Sequence, residues 1–396
     1  MTELIDKINK LVNGKLDFAY QTFKKIHAFP ETGWNLPVTS KLIQTILKNN
    51  EIKFELVEDV GIIGIIKGDK PGKCVLLRAD MDALPIKEMT NLPYQSTNGN
   101  MHACGHDGHT TTLLTAILIL NQLKSEIKGS VKFMFQPDEE CDCGMKRMLN
   151  ANVLKNPKVD YALAIHCGTG DDKFKEGDVV ARKGAAFASI ADFKIYIQGN
   201  GGHISRPNKA INPLYPASEI INEVKKVEME LAKKKSWNVL GIGGVNPDSQ
   251  KGNVIPNNVM LAGSIRTVDP NSQKVLKEKL TSIVNKIKKT TKAKITLKWT
   301  LNYPASMNDD KVLNIVLKSS KEIVKSNPTI LATDKIMGGE DFAFVACQVP
   351  SCMYHIQLDK NSFWHNATMK INPEKYFPNA IKTMVYSTIS LLKSNF

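Results

Sequence analysis

The stretch Phe187-Ala188-Ser189-Ile190-Ala191-Asp192-Phe193-Lys194-Ile195-Tyr196-Ile197-Gln198 marks where the character of the chain changes. From Ala191 onward, Ala191, Phe193, Ile195 and Ile197 alternate with Asp192, Lys194, Tyr196 and Gln198. That is the period-two pattern of a strand with one polar face. A glycine turn follows, then a helix over Pro213–Lys234, strands near Trp237–Gly243 and Asn258–Thr267, a helix over Asn271–Lys289 and a strand over Lys294–Trp299. The order β-α-β-β-α-β is the ferredoxin-like motif, self-contained enough to be an insertion.

On either side the pattern differs. Helices are predicted near Glu3–Asn13, Leu16–Ala28 and Val38–Lys48, the first pair broken off by Phe29-Pro30-Glu31-Thr32-Gly33. Strands follow at Lys53–Val57, Ile62–Lys67 and Cys74–Arg78, a buried helix at Gly108–Leu123, and strands at Ser130–Phe135 and Tyr161–Ile165. Beyond the insertion come a helix near Asp310–Lys325, a strand at Cys352–Ile356 and a last helix at Pro373–Ser394. Strands alternating with helices indicate an α/β domain with a mostly parallel sheet. The expectation is one α/β domain, residues 1–185 and 300–396, interrupted by an inserted domain over 186–299.

Composition agrees with an ordinary globular chain. The 396 residues are 42% hydrophobic and 23% charged, which excludes disordered, collagenous and coiled-coil classes. The longest apolar stretch, Leu113–Leu120, contains Thr115 and runs into Asn121 and Gln122, so no membrane span is predicted. The N-terminus has no basic patch leading into an apolar segment, so the expected location is cytoplasmic. Seven cysteines, an odd number, read as thiols in that compartment. The net charge of +14 suggests nucleic acid, but the basic residues include only five arginines. The lysines cluster at Lys225–Lys235 and Lys274–Lys294, in helix-like segments without interleaved aromatics, and read as solvated helix faces. No nucleic-acid or membrane partner is expected.

The chemistry lies in a few stretches. Met101-His102-Ala103-Cys104-Gly105-His106-Asp107-Gly108-His109 puts a thiol and an imidazole two residues apart on a glycine-containing turn just before a helix. Such a pair can reach one metal or two adjacent ones, and thiolate and neutral imidazole are usual ligands of zinc and its neighbours. A capping turn that happens to carry histidines is the alternative. Phe135-Gln136-Pro137-Asp138-Glu139-Glu140 puts carboxylates at the carboxyl end of a strand, where open α/β sheets form their ligand crevice. Asp80 and Asp82 follow the strand Cys74–Arg78, His166 follows Tyr161–Ile165, and His365 lies soon after Cys352–Ile356. Acidic or imidazole groups after so many strands point to one common site at one sheet edge.

Six stretches carry a family resemblance: Leu77 to Pro85, Met101 to His109, Phe135 to Glu140, Gly201-Gly202-His203, Asn253 to Asn257 and Met337 to Phe342. Together they resemble metallopeptidase family M20, in its amidohydrolase branch (subfamily D), which includes hippurate hydrolases, indole-acetyl-amino-acid hydrolases and N-acyl-amino-acid deacetylases. The resemblance implies a two-metal catalytic domain interrupted by a lid that also dimerises the chain. It implies that Cys104 is shared between two metals and that His106, Glu140, His166 and His365 complete their coordination. It makes Glu139 the general base and Asp82 the carboxylate that supports a metal-bound ligand. Asp80 stands where other branches have a histidine ligand. His203 would reach the partner's active site across a homodimer. Asn258 and Arg266 would grip a substrate carboxylate, for which arginine offers a planar fork; a structural salt bridge is the other reading of Arg266.

The implied reaction follows from those groups. Two divalent ions, zinc or manganese with cobalt or nickel as further candidates, can hold a hydroxide at neutral pH and polarise an amide carbonyl. Glu139 would take the water's proton and pass it to the leaving amine, and His203 would hydrogen-bond the oxyanion. The expected function is hydrolysis of N-acyl amino acids; a dipeptidase or carboxypeptidase on the same site and a non-catalytic binding protein are the alternatives. Three departures stand out. His365 sits in Trp364-His365-Asn366 rather than a Leu-His-Ser-Pro-like context. Cys141 and Cys143 follow Glu140 where a glycine is usual, and Cys167 follows His166. These thiols read as small fillers or as groups that make the site oxidation-sensitive. His27, His102 and His109 receive no catalytic role.

Overall fold

A computed structural model of the chain describes residues 2–234 and 236–395. Met1 and Phe396, the outer ends of the expected α/β domain, and Lys235, the end of a lysine group, lie outside the described residues. In chain order the strands are Phe54–Val57 (β1), Gly61–Lys67 (β2), Lys70–Asp80 (β3), Lys128–Gln136 (β4), Tyr161–Cys167 (β5), Val179–Arg182 (β6), Gly184–Phe187 (β7), Ser189–Gln198 (β8), Gly202–His203 (β9), Val239–Pro247 (β10), Val254–Ile255 (β11), Asn258–Thr267 (β12), Lys294–Tyr303 (β13), Ser306–Asn308 (β14), Thr329–Ala332 (β15) and Ser351–Ile356 (β16).

The chain divides into two units. The larger holds residues 2–186, 307–334 and 344–395, the smaller residues 187–306 and 335–343. The larger unit is built on an eight-stranded sheet in the order β1-β2-β4-β3-β5-β16-β6-β15. Its centre, β4-β3-β5-β16, is parallel throughout, while β1, β2 and β6 join antiparallel neighbours. The carboxyl ends of those four central strands therefore share one edge. The helix His106–Gln122 is buried continuously from His106 to Leu120 and has no polar face, as befits a helix enclosed on all sides. It shares one apolar core with the final helix Pro373–Leu392 and with the inward residues of β3, β4 and β5.

That helix starts earlier than the sequence pattern indicates. Gly105 adopts φ +81 and caps it, so His106 and Asp107 open its first turn instead of preceding it. A Cβ at Gly105 would also lie 2.6 Å from Cys167 Sγ.

The smaller unit is a four-stranded antiparallel sheet, β10-β12-β8-β13. Numbered by chain order and read across the sheet, the strands run second, third, first, fourth, the ferredoxin-like connectivity. Phe193, Ile195 and Ile197 of β8 pack with Ile220 and Val224 of the helix Leu214–Lys233 and with Leu280 and Val284 of the helix Pro270–Lys288. The alternate residue Tyr196 is exposed, as the period-two reading requires. The unit reaches further than 186–299: β13 continues to Tyr303, and residues 335–343 join it. The Ala188 N–H holds that second segment through the carbonyls of Ile336 and Gly338 at 3.0 and 2.9 Å. A side chain at Gly339 would collide with Ile190.

Candidate metal centre

The shared edge of the larger unit collects the chemistry. β3 ends on Asp80 with Asp82 just beyond; β4 leads into Glu139 and Glu140; β5 carries His166; β16 leads to His365; and the turn before the long helix brings Cys104 and His106. Two donor groups share Cys104: one is Cys104, His106 and His166, the other Cys104, Glu140 and His365, and within each the ligand atoms lie within 4.8 Å of one another. A third group joins His106 to Glu139 and Glu140. All five residues expected to hold metal thus come together, with Glu139 beside them.

Asp82 organises this edge. Its Oδ1 accepts the Glu139 backbone N–H and its Oδ2 that of Glu140, both at 3.1 Å. Oδ1 also lies 3.3 Å from His106 Nδ1. His106 Nε2 lies 3.7 Å from Asp80 Oδ2 and 3.8 Å from Glu140 Oε1. Neither ring nitrogen of His106 nor Glu140 Oε1 makes a hydrogen bond, although all are buried. Buried polar atoms left so are rare and call for a partner. Burial alone would depress His106, but Asp80, Asp82 and Glu140 outweigh it and raise its pKa to about 10. The same carboxylates favour a metal cation. Burial and then the Glu140 charge push the Cys104 thiol well up, so its thiolate needs a cation beside it. The donor set of thiolate, imidazole and carboxylate suits zinc and its neighbours.

Surrounding groups aim the ligands. His166 Nδ1 donates to the Cys167 carbonyl at 2.7 Å, which leaves Nε2 as the lone-pair nitrogen, 3.6 Å from Cys104 Sγ. Burial lowers the pKa of His166 well below its usual value, keeping it neutral as a ligand must be. The same carbonyl accepts Trp364 Nε1 at 3.1 Å. His365, at φ +58, donates its backbone N–H to the Ala103 carbonyl at 2.8 Å and brings Nε2 to 3.3 Å from Glu140 Oε1.

Asp80 and His109 act one step back. Asp80 Oδ2 accepts Arg78 Nη1 at 2.6 Å and Oδ1 accepts His109 Nδ1 at 2.7 Å, so both carboxylate oxygens are engaged. His109 Nε2 accepts the Cys167 N–H at 2.7 Å, so both its nitrogens are committed as well. Arg78 is buried and also donates Nε to Gln136 at 2.8 Å. The sequence reading missed the roles of Arg78 and Trp364; the visible signal for Arg78 is an arginine two residues before an aspartate at a strand end. Of the extra thiols, Cys141 is exposed and Cys143 buried, whereas Cys167 donates its Sγ–H to the Cys104 carbonyl at 3.1 Å.

The remaining named residues lie in the smaller unit. His203 is exposed on the ladder of β9 with β11, and its Nδ1 accepts the Ser205 backbone N–H at 3.2 Å. Asn258 Nδ2 donates to Asp248 at 2.9 Å. Arg266 donates Nε to Ser264 at 2.9 Å and lies 3.5 Å from Asp192, so the salt-bridge reading has its partner. Asn258 and Arg266 stand near opposite ends of β12, roughly 27 Å apart at the usual strand rise. One chain therefore cannot bring both to one carboxylate.

Comparison with known proteins agrees with this geometry. Residues 76–388 match the family described as peptidase family M20/M25/M40. A thermostable carboxypeptidase from Saccharolobus solfataricus is 33% identical over 89% of each chain. A hippurate hydrolase from Campylobacter jejuni is also 33% identical, over 88% of this chain and 90% of its own. A dinuclear metal-binding peptidase of the M20 family from Bacillus subtilis superposes with a TM-score of 0.83 at 27% identity, covering 97% of this chain and 100% of that one. No helix among the described residues is long and apolar enough to cross a membrane. The chain belongs to peptidase family M20, in its amidohydrolase branch, and is a metal-dependent hydrolase of amides.

Proposed function

We propose that the protein hydrolyses N-acyl amino acids at a two-metal site, with Glu139 as general base. The observation that carries this reading is the pair of donor groups sharing Cys104 Sγ, with Glu139 grouped with His106 of one and Glu140 of the other. Cys104, His106 and His166 would hold one divalent ion, and Cys104, Glu140 and His365 the other. When bound, such a pair supplies Lewis-acid polarisation of the amide carbonyl and lowers the pKa of a water. Glu139 accepts that water's proton on its carboxylate and delivers it to the amine nitrogen as the C–N bond breaks. Asp82 holds the Glu139–Glu140 backbone by both N–H groups, so the base and the neighbouring ligand move as one piece. The products are a free carboxylic acid and an amino acid.

His203 is the proposed oxyanion donor, supplied by a second copy of the chain in a homodimer. Its Nδ1 accepts from Ser205, which keeps the proton on Nε2 and makes that nitrogen a donor. Asn258 and Arg266 are proposed as grips for the substrate carboxylate, one from each copy of the chain. The proposed location is the cytoplasm.

The test is a panel of N-acetyl and N-benzoyl amino acids set against dipeptides, assayed with zinc-, manganese- and cobalt-loaded protein. Turnover of the acyl amino acids and not the dipeptides is the expected result. The likeness to a carboxypeptidase favours a second reading, peptide hydrolysis at the same site, and preferential dipeptide turnover would establish it.

A further inference from the structure

His27 is buried at the end of the helix Leu16–His27, far in sequence from every ligand, and the reaction does not use it. Its Nδ1 lies 2.7 Å from Asp107 Oδ2 and its Nε2 2.9 Å from Glu88 Oε1. Asp107 adjoins His106 and accepts the Gly108 N–H at 2.8 Å. Glu88 accepts the Ser96 N–H at 2.8 Å and the Thr90 hydroxyl, which anchors the segment between Asp82 and Met101. The rings of Phe23 and Tyr94 flank the imidazole at centroid distances of 5.5 and 5.2 Å.

The residues after His27 brace the same loops. The Pro30 carbonyl accepts Asn98 Nδ2 at 2.8 Å, and the Glu31 carbonyl accepts the Ala83 N–H at 2.7 Å, one residue beyond Asp82. Gly33 sits so close to Asp138 that a Cβ there would lie 3.4 Å from its Oδ1. The segment from His27 to Gly33 thus meets the loops that carry Asp82, His106 and Glu139.

We propose that His27 is a positioning residue of the metal centre: by bridging Asp107 and Glu88 it fixes the turn that presents His106. The inference rests on the metal reading above. Burial alone would depress the His27 pKa, but Asp107 and Glu88 raise it to about 9, consistent with a cation between two carboxylates. Groups that orient ligands from behind change metal affinity about 10- to 100-fold when removed.

The test measures zinc affinity by competition with a chromophoric chelator, and the visible spectrum of the cobalt-loaded protein, for wild type, H27Q and D107N. The expected result is an affinity about 10- to 100-fold lower in both variants, with shifted ligand-field bands and a retained thiolate-to-cobalt band from Cys104. Unchanged affinity and an unchanged spectrum in a folded H27Q would overturn the proposal. Where H27Q does not fold, D107N, which keeps the shape of the network, decides the matter by the same criteria. A wild type that binds neither zinc nor cobalt would instead overturn the metal reading itself.

Discussion

Asp82 and Glu139 are joined through the backbone: the Asp82 carboxylate accepts the Glu139 N–H at 3.1 Å while its other oxygen accepts the next N–H, from Glu140, at 3.1 Å. The carboxylate two residues beyond β3 therefore sets where the proposed base begins at the end of β4. A misplacement of about 1 Å near reacting atoms costs on the order of 100-fold in rate.

D82A should accordingly lower kcat by about 100-fold, with a smaller change in KM. D82N, which can still accept one of the two N–H groups, should fall between D82A and wild type. Steady-state kinetics at saturating metal measures both. Equal activity in all three proteins would show that Asp82 does not hold the base.

Metal affinity should depend on pH in a defined direction. Burial and Glu140 keep the Cys104 thiol protonated, and the Asp80, Asp82 and Glu140 carboxylates keep a proton on His106, so binding must displace protons. Apparent zinc affinity, measured by chelator competition, should rise by about ten-fold per pH unit for each proton released. A flat profile between pH 6 and 8 would contradict these protonation states.

Stability without metal should fall on the alkaline side because of His27. Its pKa is raised from 6.5 to about 9 by Asp107 and Glu88 against the effect of burial. A raised pKa means the folded state holds the proton more tightly. The resulting stabilisation is complete below pH 6.5 and is lost as pH passes through about 9. Its size is at most on the order of 3 kcal/mol. Urea titrations of chelator-treated protein should show this decline in wild type and a flatter profile in H27Q.

Much of this molecule is legible from residue order alone. The alternation through Phe193, Ile195 and Ile197 gives β8 its helix-covered face, and the carboxyl-end placement of Glu139, Glu140, Asp82 and His166 gives the site its edge. Other features depend on contacts that spacing does not express. β6 and β15 are only four residues long, and β6 is wholly buried, so it shows no alternation. Residues 335–343 join the smaller unit because Ala188, some 150 positions earlier, takes their carbonyls. The work of Arg78 and His109 follows from both converging on Asp80, and β3 must lie beside β4 for Arg78 to reach Gln136. The engagement of both Asp80 oxygens likewise emerges only once these elements pack.

The central claim is a two-metal hydrolase in which Glu139 moves the proton. Its most direct test is metal content per chain by mass spectrometry, with turnover measured in parallel, for wild type and E139Q. The account predicts about two metals per chain in both proteins and a rate about 100- to 10,000-fold lower in the variant. Full activity in E139Q, or a wild type that turns over substrate without retaining metal after reconstitution, would contradict it.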